Sequence, residues 1–361
     1  MNEISIQLSK TNRNVNIKKD RNLNLDTLRI FACFMVVFLH VTAKYCYMVP
    51  IQSFNWKICS FYDACVRSAV PLFVMISGVF FLSPDKEITT KKIYSKYIFK
   101  LVIIYLAWSV IYTIYDIYLG TTSFDIRSII LSIIRGPYHF WYISMIVGLY
   151  IISPILRKIT KKIDKKEIRY FSIIFAIACT VKTISCLSIL PYSNAIKLIC
   201  TKLPIDFICQ YYSYFLLGYF LFNFDISKYK KRIIYISGCV SPILCAILTF
   251  CLSTHDGNID ISLFDNFSIF TLLEAIAIFV FFKSNKYKVK SLARKMILEL
   301  SKLTLGIYLI HILILEIIFS IIDLSNYNSL FAVPIVSIII FLLSISIIFI
   351  LRKIIVLKKL V

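Results

Sequence analysis

The sequence predicts an all-α, polytopic membrane protein of about ten transmembrane helices with both termini in the cytoplasm. Three observations carry this. Of 361 residues, 59% are hydrophobic and 17% charged, and mean hydropathy is +0.81, more apolar surface than a soluble core can hide. Nearly uncharged runs of 18 or more residues recur along the chain, the length that crosses a bilayer as a helix. Lastly, 32 of the 41 Lys and Arg, counting Lys100 at the start of the third span, fall in alternate connecting segments, and the intervening five loops, counting Lys44 at the end of the first span, hold six. By the positive-inside rule the rich segments are cytoplasmic. The net charge of +22 is therefore chiefly a topology signal and not a mark of nucleic-acid binding. The same basic face would also attract anionic headgroups or a phosphorylated cosubstrate.

Ten spans follow, over 25–47, 64–82, 97–119, 140–156, 170–190, 203–224, 233–252, 267–282, 303–322 and 330–351. Residues 1–24, rich in Asn, Lys and Ser, read as a flexible cytoplasmic tail, 25–351 as the membrane domain and 352–361 as a second basic tail. The polar start argues against a cleaved signal peptide. None of the eleven cysteines forms a CxxC pair or a zinc spacing with histidine, and most lie in apolar runs as small hydrophobes. No metal site, glycine-rich phosphate loop or internal repeat is expected.

The first span, LDTLRIFACFMVVFLHV, carries Asp26, Arg29 and His40. Arg29 and His40 are 11 residues apart, three turns plus about 20°, so they share a helix face roughly 16 Å apart. An intramembrane Arg costs on the order of 2.5–3.5 kcal/mol on insertion scales. Either the pair is used, or Arg29 snorkels to the headgroups and His40 is a packed polar group.

In the second span, FYDACVRSAVPLFVMISGVFFL, Asp63 and Arg67 are spaced as a helical ion pair. Pro71 predicts a mid-helix kink, and Ser77-Gly78 a close-approach patch. Lys96 and Lys100 open the third span as interface anchors or as phosphate contacts, and Asp116 lies near its outer end. The fourth begins GPYHFWYISMIVGLY, where Trp141 and Tyr142 suit an aromatic belt and His139 would suit a sugar-binding platform. The fifth and sixth hold Lys182, Asp206 and Gln210, the eighth Glu274, and the ninth His311 and Glu316. Intramembrane ionisable residues default to functional hypotheses, although a lone His in an apolar helix is as often a satisfied packing element.

Chemically, histidine suits general-base work because its unperturbed pKa of about 6.5 lies near working pH. Arginine at the inner mouth could clamp a phosphate or polarise a carbonyl. These residues support group transfer across a membrane and equally a proton-coupled transporter.

The chain resembles the acyltransferase-3 family of integral membrane acyltransferases, in the short form that is the membrane domain alone. The matching stretches are LDTLRIFACFMVVFLHV, VRSAVPLFVMISGVFFL, YHFWYISMIVGLYIISPIL, YFLLGYFLF and LGIYLIHILIL, in order over residues 25 to about 315. The resemblance implies a multi-pass enzyme of the bacterial cytoplasmic membrane that carries out O-acetylation. Its donor would be cytoplasmic acyl-CoA, acetyl-CoA or succinyl-CoA, with no bound cofactor. Its acceptor would be a hydroxyl of a saccharide or lipid-linked saccharide in surface or exopolysaccharide modification, with polysaccharide-synthesis proteins as partners. It implies His40 as general base and Arg29 as donor-binding residue. Arg67, Ser77, His139, Trp141 and Tyr142 would shape the substrate sites, Lys96 and Lys100 would meet the coenzyme, and Asp26, Glu274 and His311 are further candidates. The region of Lys96 and Lys100 is thinner in arginine than the family's usual run, which puts those contacts in doubt. Two alternatives stand beside this reading. One is a transporter or flippase for glycans or their precursors, which lacks the expected repeat of broken helices. The other is a membrane O-acyltransferase of the second large class, for which His311 would be the base.

Overall fold

The structure, a computed structural model, describes residues 22–83, 88–285, 289–354 and 357–360. The expected N-terminal tail lies outside the described residues apart from 22–24. Among the described residues there is no strand, and nine helical stretches are long and apolar enough to cross a membrane. The helices are α1 (Leu23–Cys46), α2 (Phe54–Ala64), α3 (Ala69–Leu82), α4 (Phe99–Tyr118), α5 (Ile126–Arg135), α6 (Trp141–Lys162) and α7 (Lys165–Ser185). They continue with α8 (Ser193–Lys202), α9 (Tyr211–Asn223), α10 (Lys228–Asp256), α11 (Ile269–Ser284), α12 (Ser291–Ile321) and α13 (Ser329–Leu351).

α1 is the central post. Asn22 caps it by accepting from the Leu25 N–H at 3.2 Å, and it packs against α2, α3, α11, α12 and α13. The peripheral helices turn large apolar side chains outward at helical spacing. On α4 these are Phe99, Val102, Ile103, Leu106, Val110 and Ile114. Such stripes mark a lipid-facing surface. Because lipid is as apolar as leucine, close packing of small residues must hold the helices together. A Cβ on Gly238 of α10 would come within 2.1 Å of the Ala277 Cβ of α11, and one on Gly306 of α12 within 2.6 Å of Ile348 of α13. Serines in the apolar helices bond back to their own turn, as Ser337 does to the Val333 carbonyl and Ser344 to that of Ile340, both at 2.7 Å. Such back-bonding satisfies a hydroxyl that lipid cannot.

Two elements depart from the sequence reading. The second span is broken: α2 ends at Ala64, and tight turns such as Ala69 N–H to the Val66 carbonyl lead into α3. Pro71 is thus the third residue of α3 and not a mid-helix kink; in a first turn its missing N–H costs nothing. The sixth expected span, 203–224, is likewise interrupted. Pro204 precedes a single turn, Ile205–Ile208, and the chain restarts as the 13-residue α9, about 20 Å long against a hydrocarbon core of about 30 Å. α3 and α9 are a matched pair of short helices. A Cβ on Gly78 would lie 1.9 Å from the Phe215 carbonyl oxygen, and one on Gly218 would lie 2.3 Å from that of Met75. Each glycine therefore receives the carbonyl of the residue three before the other, the closest approach two parallel helices can make.

Two loops also carry unanticipated helices, the amphipathic α5 and the exposed α8. A single turn near the chain end, Leu357–Lys359, brings the Leu360 carbonyl to the Trp108 indole N–H at 2.9 Å.

Candidate active site

Because α3 starts within the thickness of the bundle, its first amides need partners that lipid cannot give. Glu274 of α11, buried, supplies one: its Oε2 accepts from the Ser68 N–H at 3.3 Å. Immediately before Ser68, the Arg67 guanidinium donates to buried Asp63, one turn earlier, and lies 4.7 Å over the Phe264 ring. The expected ion pair is present, and it faces inward.

Arg67 opens into a cavity of about 560 Å³. At the end where α1 begins, the lining holds Arg29, Ser77, Tyr150, Ser301, Lys302 and Thr304. Asp26 steadies Arg29 from one turn away, Oδ1 to Nη1 3.6 Å, and Phe80 lies 5.2 Å beneath the guanidinium. The middle is apolar, with Val36, Leu39, Val70, Phe73, Leu101, Ile146 and Leu305. The far end holds His40, Arg67, Tyr138, His139, Trp141, Tyr142, Asn266 and Tyr308. Arg29 and His40 therefore share one cavity, as their spacing on α1 requires.

Three of the four histidines in the sequence meet at that far end. Ring centroids are 5.1 Å apart for His40 and His311, 5.4 Å for His139 and His311, and 6.5 Å for His40 and His139. Different elements bring them together. His40 comes from α1, His139 from the tight turn Tyr138–Phe140 after Gly136-Pro137, and His311 from the middle of α12. The Tyr138 hydroxyl lies 3.4 Å from His40 Nδ1, and the Tyr308 hydroxyl donates to the His139 carbonyl. His40 is half-buried and faces the cavity, His139 lines it but is buried, and His311 is buried behind it. No group of three or more His, Cys, Asp or Glu among the described residues is placed to hold a metal ion.

Of the residues singled out in the sequence, Arg29, His40, Arg67, Ser77, His139, Trp141 and Tyr142 line the cavity. Asp26, Glu274 and His311 stand directly behind its wall. Lys96 and Lys100 do not reach it: both are exposed at the outside of the bundle, because the π-helical turn Ile93–Ile98 and the peripheral α4 turn that side away. Lys302, which pairs with Glu299 at 2.6 Å, is the lysine at that mouth. Lys182 pairs instead with Asp265 at 3.4 Å, and Asp206 and Gln210 are exposed. Sequence reasoning passed over Tyr138, Tyr150, Asn266, Ser301, Lys302, Thr304 and Tyr308. In apolar helices such residues read as ordinary filling, and only the Tyr-His-Phe-Trp run after Gly136-Pro137 signalled that more than one of its members counts.

A helical bundle with, among the described residues, nine stretches long and apolar enough to cross a membrane, around a cavity with basic side chains at both ends and histidines at one, is an integral membrane protein. The model of the acyltransferase-3 family, an acyltransferase domain, matches residues 22–353, and the chain belongs to that family. An amino-acid racemase of Enterococcus faecalis is 32% identical over 158 residues, 40% of this chain and 21% of that protein. The chain thus matches about a fifth of that relative's length. No solved structure matches.

Proposed function

We propose that the protein transfers an acyl group, acetyl or succinyl, from cytoplasmic acyl-CoA to a hydroxyl of a surface or exopolysaccharide sugar at the bacterial cytoplasmic membrane. The observation that supports it best is the single cavity into which Arg29 and His40 both open. With the basic end in the cytoplasm, Arg29 and Lys302 meet the donor's anionic part, and the apolar middle accepts its pantetheine arm and acyl group. The acceptor sugar enters past Trp141, whose exposed face suits a pyranose ring. His40 takes the hydroxyl proton as the oxygen attacks the thioester carbonyl carbon. The C–S bond breaks, and the CoA thiolate takes the proton back from His40.

Purified protein in nanodiscs, given radiolabelled acetyl-CoA and an added glycan, tests this. Wild type releases CoA and labels the glycan, while His40→Ala does neither at unchanged protein level. Arg29→Ala raises the donor KM. Full transfer by His40→Ala would remove His40 from the chemistry. A wild type silent with both acetyl-CoA and succinyl-CoA would replace transfer by transport of a glycan or its precursor, which counterflow without any acyl donor would then reveal.

A further inference from the structure

The His311 ring is fully buried, and its hydrogen bond to the preceding turn fixes more than its position. Nδ1 lies 2.7 Å from the Tyr308 carbonyl oxygen. A carbonyl only accepts, so Nδ1 carries the proton, and in the neutral ring Nε2 is left as a bare acceptor. That Nε2 is buried and has no hydrogen-bond partner, a rare state for an interior polar atom and one that calls for an explanation.

The helical turn around it is fixed from a second helix. The Tyr112 hydroxyl of α4 donates to the Leu309 carbonyl at 2.9 Å and accepts from the Leu313 N–H at 3.2 Å, so it straddles the turn that carries His311. The Tyr308 hydroxyl ties the same turn to the His139 carbonyl. A ring so anchored cannot rotate to find a partner, and the partner must come to it. Two rings face it. His139, with its centroid 5.4 Å away, lines the cavity but is itself buried, whereas His40, the nearer at 5.1 Å, stands half-exposed on the cavity where a substrate hydroxyl can reach it. At that separation the facing ring edges come within reach of a hydrogen bond after a small tilt.

We propose that His311 is a positioning residue for His40: its bare Nε2 accepts a hydrogen bond from a ring N–H of His40. This holds His40 in one tautomer, with the other nitrogen free to take a proton, and steadies the ring once it has done so. The arrangement has the logic of a base oriented by a third group. It rests on the reading of His40 as the base, and it predicts a tautomer that can be observed without turnover.

The full chain, labelled with ring-¹⁵N histidine and held in lipid nanodiscs, has four histidines to assign by single substitution. Wild type should show His311 protonated at Nδ1 and bare at Nε2, with His40 in a single tautomer. In His311→Asn the amide still reaches the Tyr308 carbonyl but stops short of the Nε2 position, so His40 should divide between both tautomers. In His311→Gln an amide oxygen reaches that position, so the single tautomer should return. With donor and glycan present, kcat should fall on the order of a hundredfold for Asn, with the donor KM unchanged, and recover largely for Gln. An unchanged His40 in His311→Asn, a shift of His139 alone, or a protonated Nε2 on wild-type His311 would each overturn the proposal. If the Asn variant does not fold, His311→Gln decides alone, with one His40 tautomer supporting the proposal and two overturning it. If wild type transfers no acyl group, the proposed function fails, while the tautomers still decide this assignment.

Discussion

Gly78 and Gly218 offer a direct test of how the cavity wall is held. Alanine at 78 puts a methyl carbon 1.9 Å from the Phe215 carbonyl oxygen and 2.8 Å from its carbonyl carbon. Ordinary contact begins near 3.4 Å, so α3 and α9 must part by about 1.5 Å at that level. The obstructing atoms are backbone, so no side-chain rotation relieves the clash. Alanine at 218 makes the same demand from the other side, 2.3 Å from the Met75 carbonyl oxygen. Added methylenes in packed cores cost about 1–3 kcal/mol where side chains can yield, so each substitution should cost about 3 kcal/mol or more. The double variant should cost clearly less than the sum, since helices parted by one methyl have already made room for the other. Gly148→Ala, with nothing within 4 Å, should instead gain about 0.5–1 kcal/mol of helix propensity. Thermal unfolding in nanodiscs, followed by tryptophan fluorescence, reads all four. Wild-type stability of Gly78→Ala, or strict additivity in the double variant, would refute the interlocked geometry.

Three further substitutions probe the charges around the cavity. Glu274→Leu strands the Ser68 N–H and should cost roughly 1–3 kcal/mol, whereas Glu274→Gln, which keeps an acceptor, should cost much less; thermal unfolding separates them. Asp63→Asn leaves the Arg67 charge without its counterion and should cost roughly 3–5 kcal/mol, of which adding Arg67→Leu should return part. Lys302→Ala should raise the KM for acyl-CoA by about tenfold, equivalent to about 1.4 kcal/mol of binding, with kcat unchanged; steady-state kinetics checks it, and an unmoved KM would place the donor elsewhere.

The parts of this architecture that were legible in the sequence are those written along one helix. Arg29 and His40 share a face of α1 by arithmetic alone, and Asp63 and Arg67 are an ion pair by spacing alone. What could not be read is what neighbouring helices decide. His311 looks solitary within its own apolar run, and His139 looks like part of an interfacial belt. They join His40 only because α12 and the 138–140 turn pack beside α1. Pro71 has the same hydropathic surroundings at the start of a helix as in the middle of one, and only the break at 65–68 settles which it is. Residues 203–224 satisfy a hydropathy window, but Pro204 and the α3 partner select a shorter helix. Lys96 and Lys100 stand at the expected end of the bundle. Their direction depends on the π-helical turn Ile93–Ile98, which no periodicity announces.

The short helix α3 and the buried charges beside it have a common explanation. A helix that begins within the bundle presents bare amides away from its surface, and an anionic side chain is the direct remedy. Glu274 provides it at Ser68. Once a carboxylate is committed there, a second carboxylate and an arginine one turn away become tolerable, because Asp63 and Arg67 compensate each other. The break between α2 and α3 is thus what lets a cation stand within the membrane thickness and still face the cavity. Arg29 reaches the same cavity from the opposite end, held by Asp26. Two arginines approach one cavity from its two ends, with the histidines beside Arg67 and an apolar stretch between the ends. Under the proposed transfer, this arrangement would let an anionic donor and a polar acceptor meet at His40 while neither has to cross the bilayer.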